Sequence, residues 1–301
     1  MDKKIVLIGG GLSGLYMGYL LKKAKKNFII YSDNPKDFAK KFSSQYIFLK
    51  YDIRIRRVLK ELGFDIKKRN FVMGFYYKNR INSSPEYLHL QNYNSKIYKS
   101  SKVNLFNLKN YYPIIDIDYM EVTDRLEQLL WDKISYNRVT KVDTTEKYLE
   151  AGGIKTQYDY LINTIPLPLF LDMDEGTKNV WKYGELDFPS LPLLIKKTDF
   201  VVPEKFDQVS NCELESVTTR YIRTKNMTTE EQIATVRHNV EGVIAYLKYG
   251  KIFGLSEAAT EYVVKLSLKD TYMLGRFAEF KAHYDTEDAI ERAEYLIKMI
   301  K

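Results

Sequence analysis

Four consecutive apolar residues, Ile5-Val6-Leu7-Ile8, stand between a lysine pair and a run of glycines. So short an unbroken run predicts a strand buried on both faces, over residues 4–8. A helical pattern follows over residues 12–24, with Leu15, Tyr19 and Leu20 on its inner face, and then a strand over residues 27–31. Residues 36–63 read as helical, with an extended break near residues 45–49. Residues 71–77 alternate like a strand, and Lys78-Asn79-Arg80 turns the chain back at Ile81. Residues 82–112 are polar and tyrosine-rich without a period, and predict loops and short elements. Val122, Leu126, Leu129 and Leu130 recur at helical spacing and predict an amphipathic helix over residues 118–133.

Beyond that helix the pattern shortens. Strands are expected at residues 134–142, 147–150 and 154–158, the last two joined by Gly152-Gly153. A buried strand over 160–166 ends in Asn163-Thr164-Ile165-Pro166. Strand-like segments recur at 191–196, 213–219 and 242–247. Residues 257–264 read as a helix, residues 271–274 as a strand entering Gly275-Arg276, and residues 286–298 as a closing helix. This order predicts an α/β fold. A Rossmann-like domain is assembled from residues 1–65, 118–170 and 265–301, and an interleaved mixed α+β substrate domain from residues 66–117 and 171–264.

The first strand, its glycines and the first helix carry chemistry. Gly9-x-Gly11-x-x-Gly14 between strand and helix is the dinucleotide-binding fingerprint in its required setting. Gly9 permits the tight turn, Gly11 lets the backbone approach a pyrophosphate, and Gly14 lets the helix pack on the strand. The helix start at Leu12 and Ser13 offers free N–H groups and the positive end of the dipole. The fold places a ribose-binding acid at the end of the second strand. Here Ser32 stands at that position with Asp33 next, and either can serve; Asp33 also reads as a turn residue.

Composition narrows the class. With 45% hydrophobic and 29% charged residues the chain is globular. No apolar run is long enough to span a bilayer. Residues 1–4 lead straight into the first strand, so no signal peptide is expected. Cys212 is the single cysteine and permits no intrachain disulfide, which suits a cytoplasmic location. His89, His238 and His283 are too scattered to imply a metal site. The net charge of +8 comes from lysines spread along the chain, so neither a nucleic-acid nor a membrane partner is expected. The 25 tyrosines include candidates for the polar-tipped walls of a sugar or nucleotide pocket.

The run from Thr271 through Gly275-Arg276-Phe277 and Phe280 to Tyr284-Asp285, with the helix after it, resembles the C-terminal signature of UDP-galactopyranose mutases. Tyr183-Gly184-Glu185-Leu186-Asp187-Phe188-Pro189-Ser190-Leu191, Thr218-Thr219-Arg220-Tyr221-Ile222 and Asn163-Thr164-Ile165-Pro166 resemble further segments of that family in the same order. The resemblance implies non-covalent FAD on the Gly9–Gly14 turn, active only when reduced, with the chemistry assigned to the flavin and to no side chain. The implied reaction contracts the ring of UDP-galactopyranose, or of a related UDP-sugar, to its furanose form. Arg220 is then implied to hold the substrate diphosphate. Arg276 would meet the flavin edge or a cofactor phosphate, and Tyr284 would donate to the substrate phosphate. Tyr246 is a further substrate tyrosine, and the start of the closing helix a further phosphate-facing end.

The chain departs from that family in three places. The histidine-glycine-histidine loop is replaced by Ser43-Ser44-Gln45-Tyr46-Ile47-Phe48-Leu49, the glycine pair after the second strand is missing, and the second diphosphate arginine has no counterpart. Trp131 and Trp181 are read as packing residues. Two alternatives stay open: a flavin oxidoreductase of the amine-oxidase or desaturase type, and a non-catalytic flavin- or nucleotide-binding protein. The oligomeric state is also open, a homodimer being one option.

Overall fold

The structure is a computed structural model that describes residues 3–33, 49–98, 111–178, 186, 188–223, 227–234 and 243–300. The expectations for residues 36–48, 183–185, Asp187 and Trp181 lie outside the described residues.

In chain order the elements are β1 (Lys4–Ile8), α1 (Leu12–Lys23), β2 (Asn27–Tyr31), β3 (Leu49–Lys50), α2 (Ile53–Glu61), β4 (Lys68–Tyr77), β5 (Arg80–Asn82), α3 (Tyr87–Tyr98), β6 (Tyr111–Ile115) and α4 (Tyr119–Leu130). There follow β7 (Ile134–Ser135), β8 (Val139–Asp143), β9 (Tyr148–Ala151), β10 (Ile154–Gln157), β11 (Tyr160–Asn163), α5 (Leu167–Met173), α6 (Glu175–Lys178), β12 (Ser190–Lys197), β13 (Gln208–Asn211) and β14 (Thr218–Arg223). The chain closes with β15 (Thr228–Ile233), β16 (Val243–Ile252), α7 (Glu257–Ser267), β17 (Thr271–Met273) and α8 (Thr286–Met299).

A parallel sheet in the order β17-β11-β1-β2-β7 organises the molecule. Its central strand shows why the sequence run is unbroken. Side chains alternate across a strand, so Ile5 and Leu7 enter one core while Val6 and Ile8 enter the other. The first core is closed by α1, α2, α4 and α8. The second lies under the β10-β9-β8 meander, α5 and α7. The boundary read at residue 264 falls inside α7, whose Ala259, Tyr262 and Leu266 pack on the second core. A larger mixed sheet runs β16-β12-β15-β14-β13-β4-β6-β3, with β5 on β4. All its pairings are antiparallel except β13 with β4. The fold class is therefore α/β with a Rossmann-type parallel sheet.

Several expectations change. α1 is enclosed between the sheet, α4 and α8, so Tyr16, Met17 and Leu21 are buried with Leu15, while Tyr19 and Leu20 are half-buried. Residues 213–217 form a turn, not a strand. Asn211 Oδ1 accepts from Glu213 N at 2.9 Å and Ser216 Oγ from Thr218 N at 3.2 Å, so side chains take the amides a ladder would need. α3 replaces the expected loop at 87–98. β15 and α5 are elements the pattern did not give. Trp131 is 75% exposed at the end of α4 rather than packed.

Candidate functional site

The chain passes from β1 to β2 on one side and returns as β11 on the other. The carboxyl ends of β1 and β11 therefore splay at a topological switch point, where this architecture opens a crevice. A cavity of about 750 Å³ occupies that place. Its size lies within the range of small-molecule sites.

The glycine turn forms one wall. Gly9 has φ +109° and donates to Tyr31 O at 2.8 Å, and a Cβ there would collide with Thr164 Oγ1. Thr164 Oγ1 donates toward Ile8 O at 2.9 Å and lies 3.1 Å from Gly9 O, bracing the turn from β11's end. Gly14 sits against the Gly9 carbonyl, with no room for a Cβ between them. Gly11 is the N-cap of α1 and offers no capping side chain, so the dipole end of the helix is left to whatever enters the cavity. Burial pushes the phenol of Tyr119, at the start of α4, up to about 12, against an opposing effect of the Leu12 backbone.

Gly9, Gly11, Leu12, Ser13, Ser32, Asp33, Arg220, Arg276 and Tyr284 all line this one cavity. Gly14 lies behind the turn. Tyr246 is not among the lining residues; it stands on β16 opposite Leu194, 38% exposed. The two chain ends meet here. Gly275 has φ +96°, and a Cβ there would lie 2.6 Å from Ser13 Oγ, so the turn after β17 rests on the first turn of α1. Arg276 follows, its Nε buried without a hydrogen-bond partner. Tyr284 is buried, and burial together with the Glu279 carboxylate beside it pushes its ionisation far up, so it stays a neutral phenol.

Arg220 comes from β14 in the other sheet. Its Nε and Nη2 donate to Glu231 Oε2 at 3.0 and 2.7 Å, and Nη1 donates to Gln208 Oε1 at 3.3 Å. The guanidinium is thus held flat and in register by a buried ion pair. Glu231 also accepts from Thr219 Oγ1 at 2.5 Å and lies 3.1 Å from Lys251 Nζ.

The start of α8 is not the phosphate-facing end the sequence implied. Asp285 at its N-cap, with Glu287 and Asp288 in the first turn, already answers the helix dipole with carboxylates. Lys50 pairs with Asp285 and, at 2.9 Å, with Glu287 on the cavity wall.

Sequence reasoning missed Lys50, Tyr51, Tyr112 and Tyr119, and the apolar face of α2 with Ile55, Val58 and Leu59. The α2 periodicity was a usable signal; the tyrosines carried none beyond their number.

No protein-family model matches the sequence, and no curated protein matches it. Solved structures share its architecture. Reduced UDP-galactopyranose mutase aligns over 99% of this chain and 94% of its own, with 12% identity and a TM-score of 0.75. The CLA-producing fatty acid isomerase from P. acnes aligns over 99% and 98%, with 11% identity and a TM-score of 0.71. Cyclohexylamine oxidase from Brevibacterium oxydans IH-35A aligns over 100% and 99%, with 10% identity and a TM-score of 0.68. At such identities the likeness is one of fold.

Proposed function

We propose that this chain is an FAD-dependent enzyme, and that its reaction is the ring-contracting isomerisation of a UDP-linked hexopyranose, UDP-galactopyranose or a related sugar. The observation that carries the reading is one continuous cavity joining a dinucleotide turn to a buried, oriented arginine. The residues present fit the cofactor. The glycine turn leaves a cradle a Cβ would fill, and Arg276 Nε is a buried donor that lacks an acceptor. The mutase among the structural neighbours and the run at Gly275-Arg276 support the choice of reaction.

In this reading the first amides of α1 hold the pyrophosphate, Ser32 or Asp33 meets the ribose, and Arg276 meets the flavin edge or a phosphate. FAD, when bound and reduced, supplies the nucleophile. Arg220 binds the substrate diphosphate and the Tyr284 O–H donates a hydrogen bond to it, so the sugar is held in one orientation. The apolar faces of α2 and α4 exclude water. The two assemblies, residues 1–65, 118–170 and 265–301 on one side and 66–117 and 171–264 on the other, would then serve cofactor and substrate.

The test is turnover of UDP-galactopyranose by the purified protein before and after dithionite reduction. Yellow protein that forms the furanose only when reduced is the expected result. Oxygen consumption driven by an amine, as for the oxidases of this fold, would replace the mutase reading with an oxidoreductase. Failure to bind flavin would leave a non-catalytic binding protein.

A further inference from the structure

All strands of the organising sheet run parallel, so the segments entering them lie together at its amino ends, one strand length or about 17 Å from the cavity. Lys3 precedes β1, whose first residue is the exposed Lys4; Lys25 and Lys26 precede β2. The turn Trp131–Lys133 precedes β7, and Leu268 and Lys269 lead into β17. The acids of these entering segments are answered locally. Asp132 lies 3.1 Å from Lys22, Asp270 lies 2.6 Å from Lys147, and Asp159 Oδ2 accepts from the Lys4 N–H at 2.7 Å. Glu146, on the turn that Lys269 meets at Thr145, lies at the β17 margin. What stands out from the middle of the face is the row Lys3, Lys4, Lys25 and Lys26, which forms no ion pair among the described residues.

Two apolar side chains flank that row. Trp131 is 75% exposed at the β7 margin and Leu268 is 80% exposed at the β17 margin, four strand spacings or about 19 Å apart. α8 starts on the cavity wall and runs beside α1, where Tyr16 donates to Glu294 at 3.2 Å. Its last turn therefore brings the exposed Lys298 and Met299 to the same end. Lys25 has φ +54°, just past the C-cap of α1, where glycine fits without strain. A cation stands there against the backbone preference.

Unpaired lysines between an exposed tryptophan and an exposed leucine match the layered chemistry of an anionic bilayer surface. Its headgroups meet the cations, and its interfacial zone takes the ring and the alkyl chains. A nucleic acid would leave Leu268 and Met299 in water. We propose that the amino-end face docks on an anionic phospholipid bilayer, with the cavity at the carboxyl ends turned to the aqueous phase. This departs from the sequence-based expectation of no membrane partner, because only the parallel topology gathers lysines and anchors that lie far apart along the chain. The face takes no part in the reaction proposed above.

The test is flotation of the purified full chain with vesicles of phosphatidylcholine, with and without about 30% phosphatidylserine. Binding should require the anionic lipid and fall steeply as salt is raised to about 0.5 M. Lys25→Gly should weaken partitioning about fivefold, the share of one lysine at such a surface, while the melting temperature is kept or raised. Trp131→Ala should weaken it about tenfold, and Lys205→Ser, on a loop of the other sheet, should leave it unchanged. In Trp181→Phe, the emission of Trp131 should shift to the blue on anionic vesicles. No binding, equal binding to neutral vesicles, or partitioning unchanged in both Lys25→Gly and Trp131→Ala would overturn the proposal. Capture of RNA with no flotation would assign the lysine row to nucleic acid and overturn it as well.

Discussion

Glu231 is the residue on which the chemistry of the Arg220 end turns. Burial alone would push its carboxyl up, but the Arg220 and Lys251 charges, with bonds from Thr219 and Arg220, outweigh it and hold the group to about 2. Because its folded value lies below its ordinary one of 4.5, its contribution is fully present above that pH and is lost as pH falls toward about 2. Glu231→Gln should therefore cost about 3–5 kcal/mol at neutral pH, because it removes the buried carboxylate that Arg220 and Lys251 share. The two proteins' stabilities should converge as the pH is lowered through that window. Urea denaturation at stepped pH checks this, and a constant difference down to pH 2 would contradict it. Gly9→Ala acts through the backbone instead. A φ of +109° and the Thr164 hydroxyl at the Cβ position should cost about 1–3 kcal/mol, read as a lowered melting temperature.

At the scale of elements, Lys50 at the end of β3 and the α2 helix after it are tied to α8 by a ladder of ion pairs. Lys50 meets Asp285 and Glu287, Arg54 meets Glu291 at 3.0 Å, and Arg57 meets Glu294. The spacing Lys50, Arg54, Arg57 repeats in Glu287, Glu291, Glu294, so the rungs run in register. Exposed pairs of this kind are individually weak and screened by salt. Raising the ionic strength from 0.02 to about 0.5 M, across which the screening length shrinks severalfold, should speed amide exchange in α2 more than in α1. Equal changes in both helices would show that apolar packing alone holds α2. α3 shows the opposite arrangement. Its inward face carries His89, Asn92 and Lys96 beside Leu90 and Ile97, and so has no apolar period to read. What fixes it is Lys96 Nζ donating to the carbonyls of Asn211, Glu213 and Thr218 at 2.6, 3.0 and 2.7 Å. Lys96→Met should leave those carbonyls short of a donor and lower the melting temperature, with loss of about 2 kcal/mol in a denaturant titration. β15 was hidden for the same reason: its Glu230 and Glu231 look like loop residues until cations from other strands surround them.

Across the whole molecule, the parallel sheet takes its strands from both ends of the chain and its middle. Ile290, Ala293 and Leu296 of α8 belong to the same core as Ile5 and Leu7. A chain ending at residue 285 should therefore fail to give a cooperative thermal transition, although β1, α1 and β2 are all retained. A sharp transition near that of the full chain would show that the first core closes without α8. The βαβ start, the Gly9–Gly14 turn, the amphipathic α4 and the Gly275-Arg276 turn were determined by the sequence itself, because each rests on local rules: strand burial, glycine conformation and helical period. Tertiary structure alone decided that Arg220 from one sheet and Arg276 from the other face a common cavity. It also decided that Tyr246 does not line that cavity, and that the start of α8 carries carboxylates against Lys50. Those outcomes depend on which charges meet across strands far apart in the chain, and no local pattern encodes a partner that sequence separation conceals.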